Sequence, residues 1–512
     1  MNGKGTRRWW ALAAITLGVL AVGLDVTVLS VALPTLAVSL KASESDLQWF
    51  SSAYAIVLAA GMLPSGVLGD RFGRKRILAL ALVLFAAGSV ACAYSVNPAE
   101  FIAGRVLLGA AGSAIVVMAL SVMTVLFSEQ ERPRAVGIWG AANFIALPVG
   151  PIFGGWLLAN FWWGWIFLMN VPVALVGLVA VLTLVPESRS EEKPAIDPLG
   201  ILLACGGLVG LTYGLIELGR NGWTDAPSLA IGVAGAAALV LFFTWERHLT
   251  ARPGGRPLID LGLFRSRGFT WGMILAAMGG MSLISLVFVM PQYSQGVLGL
   301  DPEGSGVRLL PAILGLVLGA VPADRIAQRA GAKLTVAAGL AITVAGLALG
   351  ATTAIGSSQW FVVAWMAIVG FGMGIAFATA ASAALKTIPA EKSGVASAMM
   401  QAMQKVGFPL GSAIVGSVLV TGYQAQLNVT GLPAAAASAV KQSVFAGVAV
   451  AEKVHSPALL DSVRSAFVAG MDAALVVSAA TAAVAMVLAL IFLPGRAPSE
   501  TRSVSPVAER AA

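Results

Sequence analysis

The sequence predicts an all-α integral membrane protein with 14 transmembrane helices, arranged as two six-helix bundles plus two inserted helices. Three observations predict it. Of 512 residues, 58% are hydrophobic and only 11% charged, with a mean hydropathy of +0.88; too little polar surface remains to wrap an apolar core in water. Apolar runs of about 20 residues, the length that crosses a bilayer core, recur along the chain. Cations are sorted between alternate connections: one set of loops and tails holds 24 of the 32 Lys and Arg, and the opposite set only Lys41, Arg220, Lys441, Lys453 and Arg464.

In chain order the runs fall at 9–33, 47–68, 77–95, 100–127, 136–159 and 165–185, then 199–218 and 227–246, then 269–291, 305–322, 334–355, 359–383, 397–420 and 466–494. They divide the chain into an N-terminal six-helix bundle (1–185), an inserted helix pair with its flanking linkers (186–268), a C-terminal six-helix bundle (269–494) and a polar tail (495–512). The first run follows Lys4, Arg7 and Arg8 as a signal peptide would, but it is too long and has no A-x-A exit, so it reads as an uncleaved span. An even number of spans returns both termini to one side, and the cation bias makes that side cytoplasmic. Trp9, Trp10, Trp162, Trp163, Trp165 and Trp360 lie near span ends, as interfacial anchors do. The one long external loop, 421–465, is Ala-rich and suits short helices or a hairpin.

The net charge of +8 does not indicate nucleic acid, because the cations recur in short loops and form no patch. Cys92 and Cys205 sit inside apolar runs and read as buried thiols; His248 and His455 are too few and too far apart for a metal site. No Ser/His/Asp set, metal cluster or phosphate loop points to an enzyme.

Charge inside a span is costly, so each such residue is a functional candidate. Asp25 lies about 24 Å from the inner end of span 1, deep enough to act as a proton carrier. Arg105 in span 4 cannot shed its proton and requires a partner or water. Lys405 lies about 12 Å into span 13 and is expected to snorkel to the cytoplasmic face. Glu217 and Asp472 sit near outer span ends, where the interface solvates them. Between spans 2 and 3, Gly66, Gly69, Asp70, Arg71, Gly73 and Arg74 form G-x-L-G-D-R-x-G-R-K-R with Lys75 and Arg76. Asp70, where the helix gives way to the turn, is placed to bond backbone N–H groups or to face a helix N-terminus. A fainter copy, Asp324-Arg325 through Gly331 and Lys333, follows span 10 and marks an internal repeat. In span 5, Gly150, Pro151, Gly154 and Gly155 combine a kink with a smooth groove for a partner helix.

These stretches, with Leu24-Asp25-Val26-Thr27 through Pro34 and Arg105-Val106-Leu107-Leu108-Gly109, resemble the signatures of the major facilitator superfamily, in particular its 14-spanner drug/proton antiporters of the multidrug efflux branch. Trp49 with Tyr54, and Phe167-Leu168-Met169-Asn170-Val171-Pro172, are similar to further landmarks. The sequence departs from the family pattern at Ser30 (usually Asn), Leu108 (usually Gln), Gly164 (usually Arg) and Lys405 (usually Gln). The resemblance implies the major facilitator fold and a proton-coupled efflux transporter in the bacterial cytoplasmic membrane, working without a cofactor and driven by the proton gradient. It implies a monomer whose partners are small amphipathic substrates, protons and the lipid bilayer. Asp25 and Arg105 would couple protons, the Asp70–Arg74 loop would latch the cytoplasmic gate, and Gly150–Gly155 would seal it against leak. Tyr54, Met273, Met281, Phe288, Trp365 and Phe377 would line the substrate cavity. A dedicated exporter of one metabolite, antibiotic or lipid is the alternative, with a membrane-embedded sensor or enzyme a poorer one.

Overall fold

The computed structural model describes residues 3–128, 131, 135, 146, 149–189, 197–252, 257–258, 261–386, 388 and 393–494. The first half comprises α1 (Gly3–Ser39), α2 (Glu44–Phe72), α3 (Arg74–Ala93), α4 (Pro98–Leu126), α5 (149–160), α6 (Trp165–Leu168) and α7 (Asn170–Leu184). The insert is α8 (Pro198–Asn221) and α9 (Ala226–Ala251). The second half comprises α10 (Arg267–Gln292), α11 (Pro302–Val307), α12 (Leu310–Ala330), α13 (Ala332–Gly350), α14 (Gln359–Lys386), α15 (Ser393–Gln426), α16 (Ala434–Gln442), α17 (Val444–Lys453) and α18 (Pro457–Phe492). No strand occurs among the described residues.

Among the described residues 12 helices are long and apolar enough to cross a membrane, and α2 makes a thirteenth as a pair of segments meeting at 50° near Pro64. Proline at that point removes a backbone hydrogen bond and opens the helix. Half of the expected fifth span, 136–145 with 147 and 148, lies outside the described residues; its second part is α5. The expected sixth span is α6 and α7 together, and the expected tenth is α11 followed by α12. The expected tail, 495–512, also lies outside the described residues.

Short polar connections restart the chain after each crossing. Asn97 before Pro98, Asp197 before Pro198, Asp301 before Pro302 and Ser456 before Pro457 each accept a free N–H of the following first turn, with proline placed where no donor is lost. Asp225 does the same for α9, and the Ser228 hydroxyl and N–H that it receives hold its carboxyl below the usual range.

Packing follows the repeat. Helix α4 lies against α2, α3 and α1, and α7 against α1 and α3; in the second half α14 packs on α12 and α13, and α15 on α10 and α18. The inserted helices pack on each other, and α8 wedges against both α2 and α15. The halves also meet directly on the face opposite the termini. There the Ser52 and Ser412 hydroxyls share a 2.8 Å hydrogen bond, Gln48 fits against Gly416, and Gln295 donates to the Val31 carbonyl at 3.0 Å.

The long loop is shorter than expected. Helix α15 runs on to Gln426 and α18 begins at Pro457, so α18, at 36 residues, is about 54 Å long, well beyond the ~30 Å apolar core. Its first turns stand outside with the α16–α17 hairpin, which is tied down where the Tyr423 hydroxyl donates to the Val440 carbonyl at 2.8 Å. Asp472 therefore lies about 30 Å from the end of α18.

Candidate functional site

Asp25 of α1 and Arg105 of α4 meet in the interior. The Arg105 Nη1 to Asp25 Oδ2 distance is 2.5 Å, and the two side chains are 1% and 0% exposed. The guanidinium is held from three sides, because its Nε donates to the Phe50 carbonyl at 3.0 Å and its plane lies 4.4 Å from the Tyr54 ring centroid. Tyr54 is fixed in turn by donating its hydroxyl proton to the Val22 carbonyl at 3.2 Å. The other Asp25 oxygen accepts from Asn170 Nδ2 at 3.4 Å. The carboxylate thus joins α1, α4 and α7, while the arginine adds α2. Arginine keeps its charge, so this pair has one exchangeable proton site, and protonating Asp25 removes the attraction that draws α1 to α4.

Arg105 borders a cavity between the halves with about 30 Å³ of room, enough for about two waters, so an organic molecule would enter only with the helices parted. Helices α1, α2 and α4 form one wall, α10 and α15 the other. Its polar lining is Ser30, Ser51, Tyr54, Arg105, Lys405 and Ser412; the remainder is aliphatic apart from Phe288 and Phe408. The contacts of Gln48 and Ser52 with α15 close it toward the face opposite the termini.

Two further features frame this centre. Gly73, with φ +112°, ends α2 and begins α3 in one residue, which a side chain would strain; Gly331, with φ +86°, does the same between α12 and α13. After Gly73, Arg74 returns to Asp70 with Nε 3.0 Å and Nη2 2.9 Å from Oδ1. Glu187, just past α7, accepts the Lys75 N–H at 3.2 Å and lies 3.5 Å from the Arg76 guanidinium. Helix α5 presses its glycine face on α1 beside Asp25: a Cβ at Gly150 would strike Thr27 and one at Gly154 would strike Val28. The Thr27 hydroxyl bridges to the Ala146 carbonyl at 3.1 Å.

The Major Facilitator Superfamily profile matches residues 15–412. The chain belongs to that superfamily. It is therefore a transporter and not an enzyme. It is 31% identical over 501 residues to the Tetracenomycin C resistance and export protein of Streptomyces glaucescens, covering 96% of this chain and 92% of that one. It is 30% identical to the multidrug efflux pump LfrA of Mycolicibacterium smegmatis, covering 93% and 94%. Among solved structures it resembles a bacterial homologue of the human lysosomal transporter Spinster, in an inward-facing and unoccupied conformation, with a TM-score of 0.67 at 17% identity over 95% of this chain and 98% of that one.

Within this superfamily fold, the structure brings some of the residues singled out in the sequence together and separates others. Asp25 and Arg105 touch, and Tyr54 and Phe288 line the cavity. Met273 lies instead in an apolar cluster with Phe242, Leu263 and Phe269. Met281 forms part of the close crossing with Gly411 of α15, and Phe377 lies over Gly279. Trp365 is 1% exposed and packs on Gly350 of α13. Aromatic and thioether side chains serve helix packing as readily as ligand contact, which is why the sequence does not separate the two. Lys405 does not snorkel: α15 begins at Ser393, so the residue is about 18 Å from the helix start; it lines the cavity, with Nζ 5.2 Å from the Phe408 ring centroid. Asp70 faces Arg74 within its own loop, where backbone N–H groups or a helix N-terminus were the expected partners. Asn170, part of a family landmark in the sequence, is a partner of Asp25, and as an amide in an otherwise apolar span it carries a visible signal. Glu187, in a charged linker, carries none.

Proposed function

We propose that this protein exports amphipathic organic compounds across the bacterial cytoplasmic membrane in exchange for protons, as a monomer with both termini cytoplasmic. The observation that carries the reading is the buried Asp25–Arg105 pair, whose arginine lies on the wall of a cavity shared by the two halves. Asp25 holds the proton and Arg105 makes that proton a structural event: the charged carboxylate binds α1 to α4, and the neutral acid releases them. Exchange of one half against the other around the cavity then gives access to each side in turn. No cofactor takes part, since the proton gradient supplies the free energy. The α5 glycine face holds α1 close on the side away from the cavity and limits proton leak, and the Asp70–Arg74 loop fixes the turn about which α2 and α3 move. The export and efflux roles in the names of the relatives support the direction of transport.

The test uses everted membrane vesicles acidified inside, with the pH gradient followed by a fluorescent reporter while a panel of neutral, cationic and anionic compounds is added. Collapse of the gradient by particular compounds, absent from vesicles lacking the protein, is expected. A gradient indifferent to every compound would overturn proton exchange. A response to one compound of the panel would favour the reading of a dedicated exporter, to which the tetracenomycin relative lends weight.

A further inference from the structure

The charges that face the cavity are unbalanced. Arg105 is neutralised by Asp25 at 2.5 Å. Lys405 is not: among the described residues no carboxylate lies within 4.0 Å of its ammonium, and no Asp or Glu lines the cavity. Its nearest compensation is the Phe408 ring, 5.2 Å from Nζ to centroid, which offers a weak attraction compared with an ion pair. A cation without a counter-charge in a low-dielectric site is costly to maintain. The space beside it is narrow in this conformation, about 30 Å³, and the walls that would face a molecule once the halves part are apolar with the Tyr54, Phe288 and Phe408 rings.

We infer that the cavity takes amphipathic organic anions, with an apolar or aromatic body against Phe288 and Phe408 and a carboxylate, phenolate or phosphate received by Lys405. This deepens the proposed export function and rests on it for the meaning of binding. An anion completes the charge balance of the site, whereas a lipophilic cation would sit beside an unscreened ammonium with no acidic group facing it. The same chemistry is offered by a soluble anion and by the headgroup of an anionic lipid, and the two are separated by competition.

The experiment measures equilibrium binding to purified protein in neutral detergent, with no proton gradient, so that its outcome is independent of whether export is proton-coupled. The probes share one aromatic body and differ in charge: pyrenebutyrate and pyrenebutyl-trimethylammonium, with empty micelles as the blank. Wild type is expected to bind the anion at least about tenfold more tightly than the cation, the contribution of one charge-assisted hydrogen bond. Lys405→Gln should lose that preference by weakening the anion, and Lys405→Arg should keep it, which separates a charge effect from misfolding. Equal binding of the two probes by wild type, or an anion affinity unchanged in Lys405→Gln, would overturn the inference. Phosphatidylglycerol and phosphatidylcholine are titrated as competitors. Displacement of pyrenebutyrate by the former alone would assign the ammonium to a lipid headgroup and overturn the soluble-substrate reading; displacement by neither supports it.

Discussion

Two Asp–Arg pairs of the same chemistry stand at different depths. Asp25 and Arg105 are joined across 80 residues of sequence with side chains 0–1% exposed, while Asp70 and Arg74 are one helical turn apart with side chains 37% and 22% exposed. In the first, each charge depends on the other, because both side chains are buried and the remaining partners are a carbonyl, an amide and a ring. In the second, water and neighbouring charges replace whatever is removed. Burial, and not the residue pair, thus sets what an ion pair is worth: breaking a buried pair costs about 3–5 kcal/mol, and an exposed one typically about 0–1 kcal/mol.

The largest effect is expected at the buried pair. Arg105→Met leaves the buried Asp25 without its counter-charge, and thermal unfolding in detergent should show a loss of about 3–5 kcal/mol; the double variant Asp25→Asn, Arg105→Gln removes both charges and should recover much of it while transport stays absent. Equal stability of the single variant and wild type would erase the contrast between the pairs. Next comes the support of α1. Gly154→Leu forces α5 away from Val28, and overpacking of this kind costs about 1–3 kcal/mol; proton leak in vesicles without added compound should rise, whereas Ala in place of the exposed Ile152 should leave it unchanged. The smallest effect belongs to the loop. Asp70→Asn should shift stability by less than about 1 kcal/mol, and the shift should shrink as salt is raised. A loss as large as that of Arg105→Met would mean that the two loop charges depend on each other as strongly as the buried ones do.

How far these features are legible in the sequence differs in the same way. Spans, cation bias, the glycine-rich turns and the costly residues Asp25, Arg105 and Lys405 are local properties of composition and period. Their pairing is not: nothing in one dimension selects Arg105 over Lys405 as the partner of Asp25. The cavity wall is misplaced for a related reason. Span 12 is expected to line it, but Trp365 and Phe377 turn to α13 and α10, and α15 supplies Lys405 and Phe408 instead. The charge in α15 is the available signal, since an ammonium in a span has few places to go; reading it as a snorkelling residue conceals the site.

Everything proposed for transport turns on the exchanged proton riding on Asp25. Everted vesicles carrying wild type or Asp25→Asn at equal abundance in the membrane, challenged with a compound active on wild type, put that to the test. Compound-driven collapse of the pH gradient is expected for wild type, and a response at the level of empty vesicles for Asp25→Asn. An unchanged collapse in Asp25→Asn would contradict the assignment and move the proton to another group.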